Sequence, residues 1–188
     1  TVNALFSCAK SGDIKPERTP LEIVKYMVER VIKEVCYKKT PKQILELRIV
    51  DIACGSGIFL IEMYECLIRY ITEWYVNNDK KCILYNGNGE YKLPFKNKKE
   101  ILEKCIFGID IDIHAVEVTK FNLLLKLLED ETEPTLRGID KLLPDLKKNI
   151  LYGNSLIDLD NINYSKLSES DKEEIVVFDW NKINNGEL

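Results

Sequence analysis

The 188-residue sequence holds one histidine and six prolines, no two of them adjacent. Its six cysteines, Cys8, Cys36, Cys54, Cys66, Cys82 and Cys105, are scattered and form no C-x-x-C pair. A structural zinc needs clustered thiolates or imidazoles, so none is expected. Several cysteines fall inside apolar helix or strand patterns. That argues against a disulfide framework and for buried, reduced thiols in a cytoplasmic protein. No apolar run approaches the roughly 18–20 residues of a membrane span, and no Gly-Lys-Ser/Thr occurs, which excludes a P-loop. An excess of basic charge is also missing: 27 Lys and Arg face 31 Asp and Glu, for a net charge of −4. Stand-alone nucleic-acid binders are usually basic, so any grip on nucleic acid is expected to lie elsewhere. The chain opens Thr1-Val2-Asn3 with no Met and no secretory signal pattern, so a fragment or processed form is expected.

What is present reads as alternating α/β units. Residues 1–18 have weak periodicity. Thr19-Pro20-Leu21-Glu22 predicts a helix start, with Thr19 as cap, Pro20 in the first position and Glu22 closing a capping box. Ile23, Val24, Met27, Val28, Val31, Ile32 and Val35 follow as one apolar face, and Pro41 blocks continuation. Leu47–Ala53 reads as a buried strand, Gly55-Ser56-Gly57 as a tight turn, and Phe59 to Ile71 as a second amphipathic helix. Strand, glycine turn and helix are the first half of a doubly wound α/β fold. Residues 75–103 break the pattern with turn-forming Asn and Gly and are expected to be an insertion. Lys96, Lys98 and Lys99 within it read as a solvated helix start rather than a DNA contact. A second strand is expected at Cys105–Asp110. A third helix over Ile113–Leu128 would be capped by Asp112, with Val116, Phe121, Leu124, Leu125 and Leu128 on its apolar face. Asn149–Tyr152 would be a third strand, and Glu174–Trp180 a further or edge strand.

Three polar features fall at the ends of three successive strands, the edge where open α/β sheets bind ligands. Gly55 and Gly57 in Asp51-Ile52-Ala53-Cys54-Gly55-Ser56-Gly57 let backbone approach a ligand, and the next helix offers free N–H groups. Asp110 suits a ribose diol. Asn154, able to accept and donate, suits an adenine edge. The third glycine of a dinucleotide fingerprint is absent, since Leu60 stands there. An adenosyl cofactor without pyrophosphate remains, and S-adenosylmethionine fits best. His114, the sole imidazole, sits in the first turn of the third helix without an evident partner, so a surface or packing role is expected.

The segment Asp51–Phe59 resembles the cofactor motif of adenine-specific DNA methyltransferases. Phe107–Val116 and Asn149–Ile157 resemble their second and third motifs, and Arg18-Thr19-Pro20 the Thr-Pro element of the gamma arrangement. Tyr91-Lys92-Leu93-Pro94-Phe95 is similar to a segment of large restriction–modification polypeptides. The resemblance implies a doubly wound, Rossmann-like S-adenosylmethionine-dependent methyltransferase fold, truncated, with an N-terminal helix (19–38), a first strand-turn-helix (47–73), an insertion (75–103) between the first two strands, and the remaining strand-helix units (104–188). All of it would form a single partial methyltransferase domain over 1–188.

By the same resemblance, Asp51 lies near the methionine amino group. Backbone of Ala53, Cys54, Gly55 and Gly57 lines the tail, and Thr19 and Pro20 close over its carboxylate. Asp110 holds the ribose and Ile111 packs on adenine. Asn154, with Ser155 beside it, reads the adenine amine under Leu156. Phe59 is cofactor contact or core. The family's catalytic (Asp/Asn/Ser)-Pro-Pro-(Tyr/Phe) loop is absent, so the chain is expected to end before it, at a lead-in Val176–Trp180, and to be inactive alone. Double-stranded DNA would be held by parts of a longer protein, and no membrane is involved. The alternatives are an RNA or protein methyltransferase of the same fold and a non-catalytic cofactor-binding module.

Overall fold

A computed structural model of the chain describes residues 19–85 and 89–156. The first 18 residues, the turn signal expected at Asn86-Gly87-Asn88 and the strand expected at 174–180 lie outside them.

Helix α1 (Leu21–Val35) buries Val24, Val28 and Ile32, a stripe recurring every fourth residue. It packs chiefly on helix α3 (Ile58–Asn78). The apolar face is narrower than the sequence suggests, since Ile23 and Val31 are exposed. Its start also differs. Pro20 rather than Thr19 occupies the cap position, and no side chain caps the helix. The same Thr-Pro pattern closes a capping box one element later. In the one-turn helix α2 (Pro41–Ile44), Thr40 Oγ1 accepts from Gln43 N–H, and Gln43 Oε1 accepts from Thr40 N–H at 2.9 Å. Pro41 therefore begins a helix instead of merely ending one.

Strands β1 (Ile49–Asp51), β4 (Ile106–Asp110) and β5 (Ile150–Tyr152) form a parallel sheet in the order β1-β4-β5. Asp51 is level with Gly108, and Asp110 with Tyr152. The central strand is covered on both faces, and Ile106, Phe107, Gly108 and Ile109 are all buried. Gly108 is where α3 presses closest, because a Cβ there would stand 2.7 Å from Leu60 Cδ1 and 3.1 Å from Cys54 Sγ.

The segment expected to be an insertion is partly core. Helix α3 runs on to Asn78, past the expected boundary at 73. A 3₁₀ turn (Lys80–Cys82) and a hairpin of β2 (Leu84–Tyr85) with β3 (Tyr91–Lys92) then lead to helix α4 (Phe95–Cys105). Phe95, Ile101, Leu102 and Cys105 of α4 are buried. Lys98 is not solvated, since its side chain is 12% exposed and pairs with Glu131. Lys99 Nζ donates to the carbonyl of Lys141. These lysines tie α4 to the loops beyond helix α5 (Ile113–Leu128), one of which carries the single-turn helix α6 (Glu133–Leu136).

On α5 the buried stripe is Val116, Thr119, Leu123 and Leu127, while Phe121 and Leu125 are exposed. The helix is rotated from the expected face because Thr119, counted as polar, points inward. Cys36, Cys54, Cys66 and Cys105 are buried free thiols, and Cys82 is exposed, contrary to a uniformly buried set. No described helix is long and apolar enough to cross a membrane.

Helix α4 runs into β4 without a loop, so its last carbonyls need partners. Buried Asn149 supplies them. Its Nδ2 donates to the carbonyls of Glu103 and Ile106, both at 2.9 Å, and more weakly to Leu102. Asn149→Ala is expected to destabilise the chain by about 1–3 kcal/mol, since the carbonyls stay buried without a donor. Urea unfolding at constant m-value measures it.

Candidate functional site

Parallel pairing sends the C-terminal ends of β1, β4 and β5 to one rim of the sheet. Loops 52–57, 111–112 and 153–156 therefore leave it side by side, and hydrogen bonds lace them together. Cys54 N–H donates to Ile109 O at 3.0 Å, and Gly55 N–H donates to Asp110 Oδ2 at 2.7 Å. Gly153 N–H donates to Asp110 O at 2.9 Å, and Ser155 Oγ donates across to Ile52 O at 2.7 Å. The other Asp110 oxygen accepts from Asp112 N–H at 2.9 Å. Asp112 in turn caps α5 through His114 N–H, as expected, and leaves His114 exposed in the first turn.

The site is built around two carboxylates. Asp51 is 4% exposed and accepts from Ala53 N–H at 3.1 Å. Burial pushes its carboxyl above the ordinary range and the charge of Asp110 adds to this, against the lowering effect of the Ala53 N–H. Among the described residues neither Asp51 nor Asp110 belongs to an ion pair. Burial, with the charges of Asp51 and Asp110, pushes the neighbouring Cys54 thiol up to about 12. Cys54 is thus a packing group and not a nucleophile.

The glycine turn enters α3 with Gly57 at φ +84°, a left-handed conformation that admits glycine readily. Glycine at the cap position has no side chain to cap α3. Behind the turn stand two residues that sequence reasoning missed. Thr119 Oγ1 donates to Gly55 O at 2.7 Å, and Asn122 Nδ2 donates to Ser56 O at 3.1 Å. One sequence signal existed for Thr119. It interrupts the stripe Val116, Leu123, Leu127, and a polar residue in a buried stripe requires a buried partner.

The other sequence-predicted residues divide. Ala53, Ile111 and Leu156 are exposed on the rim loops. Asn154 Oδ1 accepts from Leu156 N–H at 3.1 Å, which uses the carbonyl half of the amide and not the amine half. Phe59 is half-buried and packs against the core cluster, so the core contact is real. Thr19 and Pro20 are exposed, and the bonds there run within the first turn of α1, where Pro20 O accepts from Ile23 and Val24 N–H.

The family model of the MmeI DNA-methyltransferase domain matches residues 28–179, a span that includes the whole laced rim. The chain belongs to this DNA-methyltransferase family. Over 140 residues it is 45% identical to the type II restriction enzyme and methyltransferase RM.Eco57I of Escherichia coli, covering 74% of this chain and 14% of that protein. It is 35% identical over 125 residues to the putative type II restriction enzyme and methyltransferase RM.MjaORFECS2P of Methanocaldococcus jannaschii, covering 66% and 10%. It is 29% identical over 119 residues to the adenine-specific methyltransferase PglX of Lacticaseibacillus casei, covering 59% and 9%. The chain thus spans about a tenth to a seventh of these relatives' lengths, and two of the three are named as type II restriction enzymes and methyltransferases.

Because the folded state raises the Asp51 carboxyl, the folded chain holds more protons than the unfolded chain between the ordinary carboxylate pKa of 3.8 and the raised value. Stability contributed there falls as pH climbs through that window. Asp51→Asn keeps an acceptor for Ala53 N–H without the charge. It is expected to raise the thermal midpoint at pH 7, with the gain vanishing below the ordinary carboxylate range. Calorimetric melting of both proteins from pH 3 to 8 checks the sign.

Proposed function

We propose that the rim binds S-adenosylmethionine and that the chain is the cofactor-binding portion of a methyltransferase acting on the exocyclic amine of adenine in DNA. The sheet is then one half of a doubly wound, Rossmann-like methyltransferase fold. The observation that carries the reading is the convergence of the Gly55 turn, Asp110 and the Asn154–Ser155 loop on one rim. Its chemistry fits the group. Asp51 and Asp110, outside any described ion pair, suit a ligand that carries ammonium and sulfonium charges. Exposed Ile111 and Leu156 offer apolar surface to the two faces of a purine. Asp110 already holds one N–H on each oxygen, and each keeps a further lone pair for a diol hydroxyl. The name of one relative, an adenine-specific methyltransferase, supports the choice of base.

When bound, the cofactor would supply a methyl group activated by its sulfonium, with departure of the neutral thioether as the driving force. The residues of this chain hold and orient. Backbone at 53–57 takes the tail, Asp51 its ammonium and Asp110 the ribose, and Asn154 reads adenine while Thr19 and Pro20 cover the carboxylate. Placement of the reacting centres is the protein's main contribution to such a transfer. A duplex adenine must leave the stack to be reached. The 188 residues contain no Pro-Pro-aromatic tetrapeptide to hold such a base, and their net charge is −4. Capture of double-stranded DNA is therefore assigned to other parts of a longer restriction–modification polypeptide, and the chain alone is assigned binding without transfer.

Isothermal titration with S-adenosylhomocysteine tests the rim. The chain is expected to bind, and Asp110→Ala to bind about ten- to a hundredfold more weakly, the equivalent of two lost hydrogen bonds. Equal affinities would remove Asp110 from the ribose. Transfer of labelled methyl to adenine-containing duplexes by the chain alone is expected at background level. Turnover at a rate of order 1 per second or faster would overturn the division of labour.

A further inference from the structure

The glycine turn is held from behind by a single rigid element. The Gly55 N–H goes to Asp110 Oδ2, and the Gly55 carbonyl to Thr119 Oγ1, both at 2.7 Å. The next carbonyl, Ser56 O, goes to Asn122 Nδ2 at 3.1 Å. The third residue, Gly57, lies against the Thr119 side chain, where an added Cβ would meet Cγ2 at 2.8 Å. Asp110 ends β4, and Thr119 and Asn122 lie one helical turn apart on α5. Three successive residues of the turn thus take their orientation from the β4–α5 unit.

A peptide plane has two edges. When α5 holds the carbonyl edges of residues 55 and 56, the opposite N–H edges are turned away from the helix. Gly55 sits at φ +53° and Gly57 at φ +84°, and glycine populates several other basins about equally well. The turn's own bond, Gly57 N–H to Cys54 O at 2.8 Å, closes its ends, and without an outside restraint the peptides between them would still sample other basins. Thr119 is fully buried, so its hydroxyl cannot exchange the Gly55 carbonyl for water.

We propose that Thr119 and Asn122 are positioning residues that fix the Gly55–Gly57 turn in the conformation that receives the cofactor's amino-acid tail. They touch no ligand. They act by removing the entropy of a mobile turn before binding. Because Asp110, assigned to the ribose, belongs to the same unit, one element registers both ends of the cofactor. This inference rests on the S-adenosylmethionine reading.

The test uses the full 188-residue chain and the variants Thr119→Val, Thr119→Ser and Asn122→Leu. Thr72→Val serves as control, since Thr72 Oγ1 donates at 2.7 Å to Ile68 O within α3. Thr72→Val deletes an equivalent hydroxyl away from the rim. Two quantities are read: amide hydrogen exchange across 54–58 without ligand, and affinity for S-adenosylhomocysteine by titration calorimetry. Thr119→Val and Asn122→Leu are expected to speed exchange across 54–58 and to weaken binding at least tenfold. Thr119→Ser should restore both to within threefold of wild type, and Thr72→Val should change neither. Unchanged exchange in Thr119→Val overturns the brace. Faster exchange with unchanged affinity overturns its role in binding and leaves the cofactor reading standing. A wild-type chain that binds no S-adenosylhomocysteine overturns the cofactor reading, and the positioning role with it, whatever exchange shows.

Discussion

The hydrogen bond from Gly55 N–H to the Asp110 carboxylate is the constraint on which the rim depends. Loops at the end of a parallel sheet leave neighbouring strands together, and here backbone bonds carry the pairing on for only a residue or two, from Cys54 N–H to Ile109 O and from Gly153 N–H to Asp110 O. Asp110 stands at the end of the central strand, so it has a loop on either side. Its carboxylate holds the β1 loop through Gly55, its backbone carbonyl holds the β5 loop through Gly153, and its second oxygen turns the chain into α5. Ser155 closes the circuit to Ile52. Removing the Asp110 side chain would release two connections, to the β1 loop at Gly55 and to the turn into α5 at Asp112, and leave the backbone bond to Gly153.

That arrangement carries an electrostatic penalty which the fold accepts. Asp51 is buried near a second carboxylate, with one backbone N–H as its described compensation. Uncompensated buried charge destabilises a fold, and carboxyls perturbed in this way cluster at functional sites. Under the proposed function, the cost to stability and the fit to a cationic ligand are two readings of one geometry. The buried thiol of Cys54, pushed up by burial and by the same two carboxylates, fills the space between strand and helix without adding reactivity.

The departures from the expected pattern share a cause. Periodicity reports which residues lie on one face of a helix, but not how much of that face has a partner. Ile23 and Val31 repeat at helical spacing on α1, yet Val24, Val28 and Ile32 take the contact with α3. On α5 the inward stripe includes Thr119 because the glycine turn offers it a carbonyl at 2.7 Å. Local charge misleads in the same way. Lys98 looked solvated in a lysine-rich stretch, but Glu131, 33 residues further on, neutralises it in a nearly closed position. The capping box expected at Thr19 is not made, and one not expected is made at Thr40, with both arms present.

Local chemistry was enough to determine the order of strand, glycine turn and helix, the placement of Asp51, Asp110 and Asn154 at strand ends, and the Asp112 cap. Each of these follows from a few consecutive residues and the backbone conformations they allow. Only the tertiary structure decided that the three loops bond to one another. It also decided that α4 is core and joined to the sheet through Asn149, and that Thr119 and Asn122 stand behind the turn. Those facts join residues 40 to more than 100 positions apart, such as Ile52 with Ser155 and Asn149 with Ile106. The partner of a buried polar group is chosen by packing, and packing is a property of the whole chain.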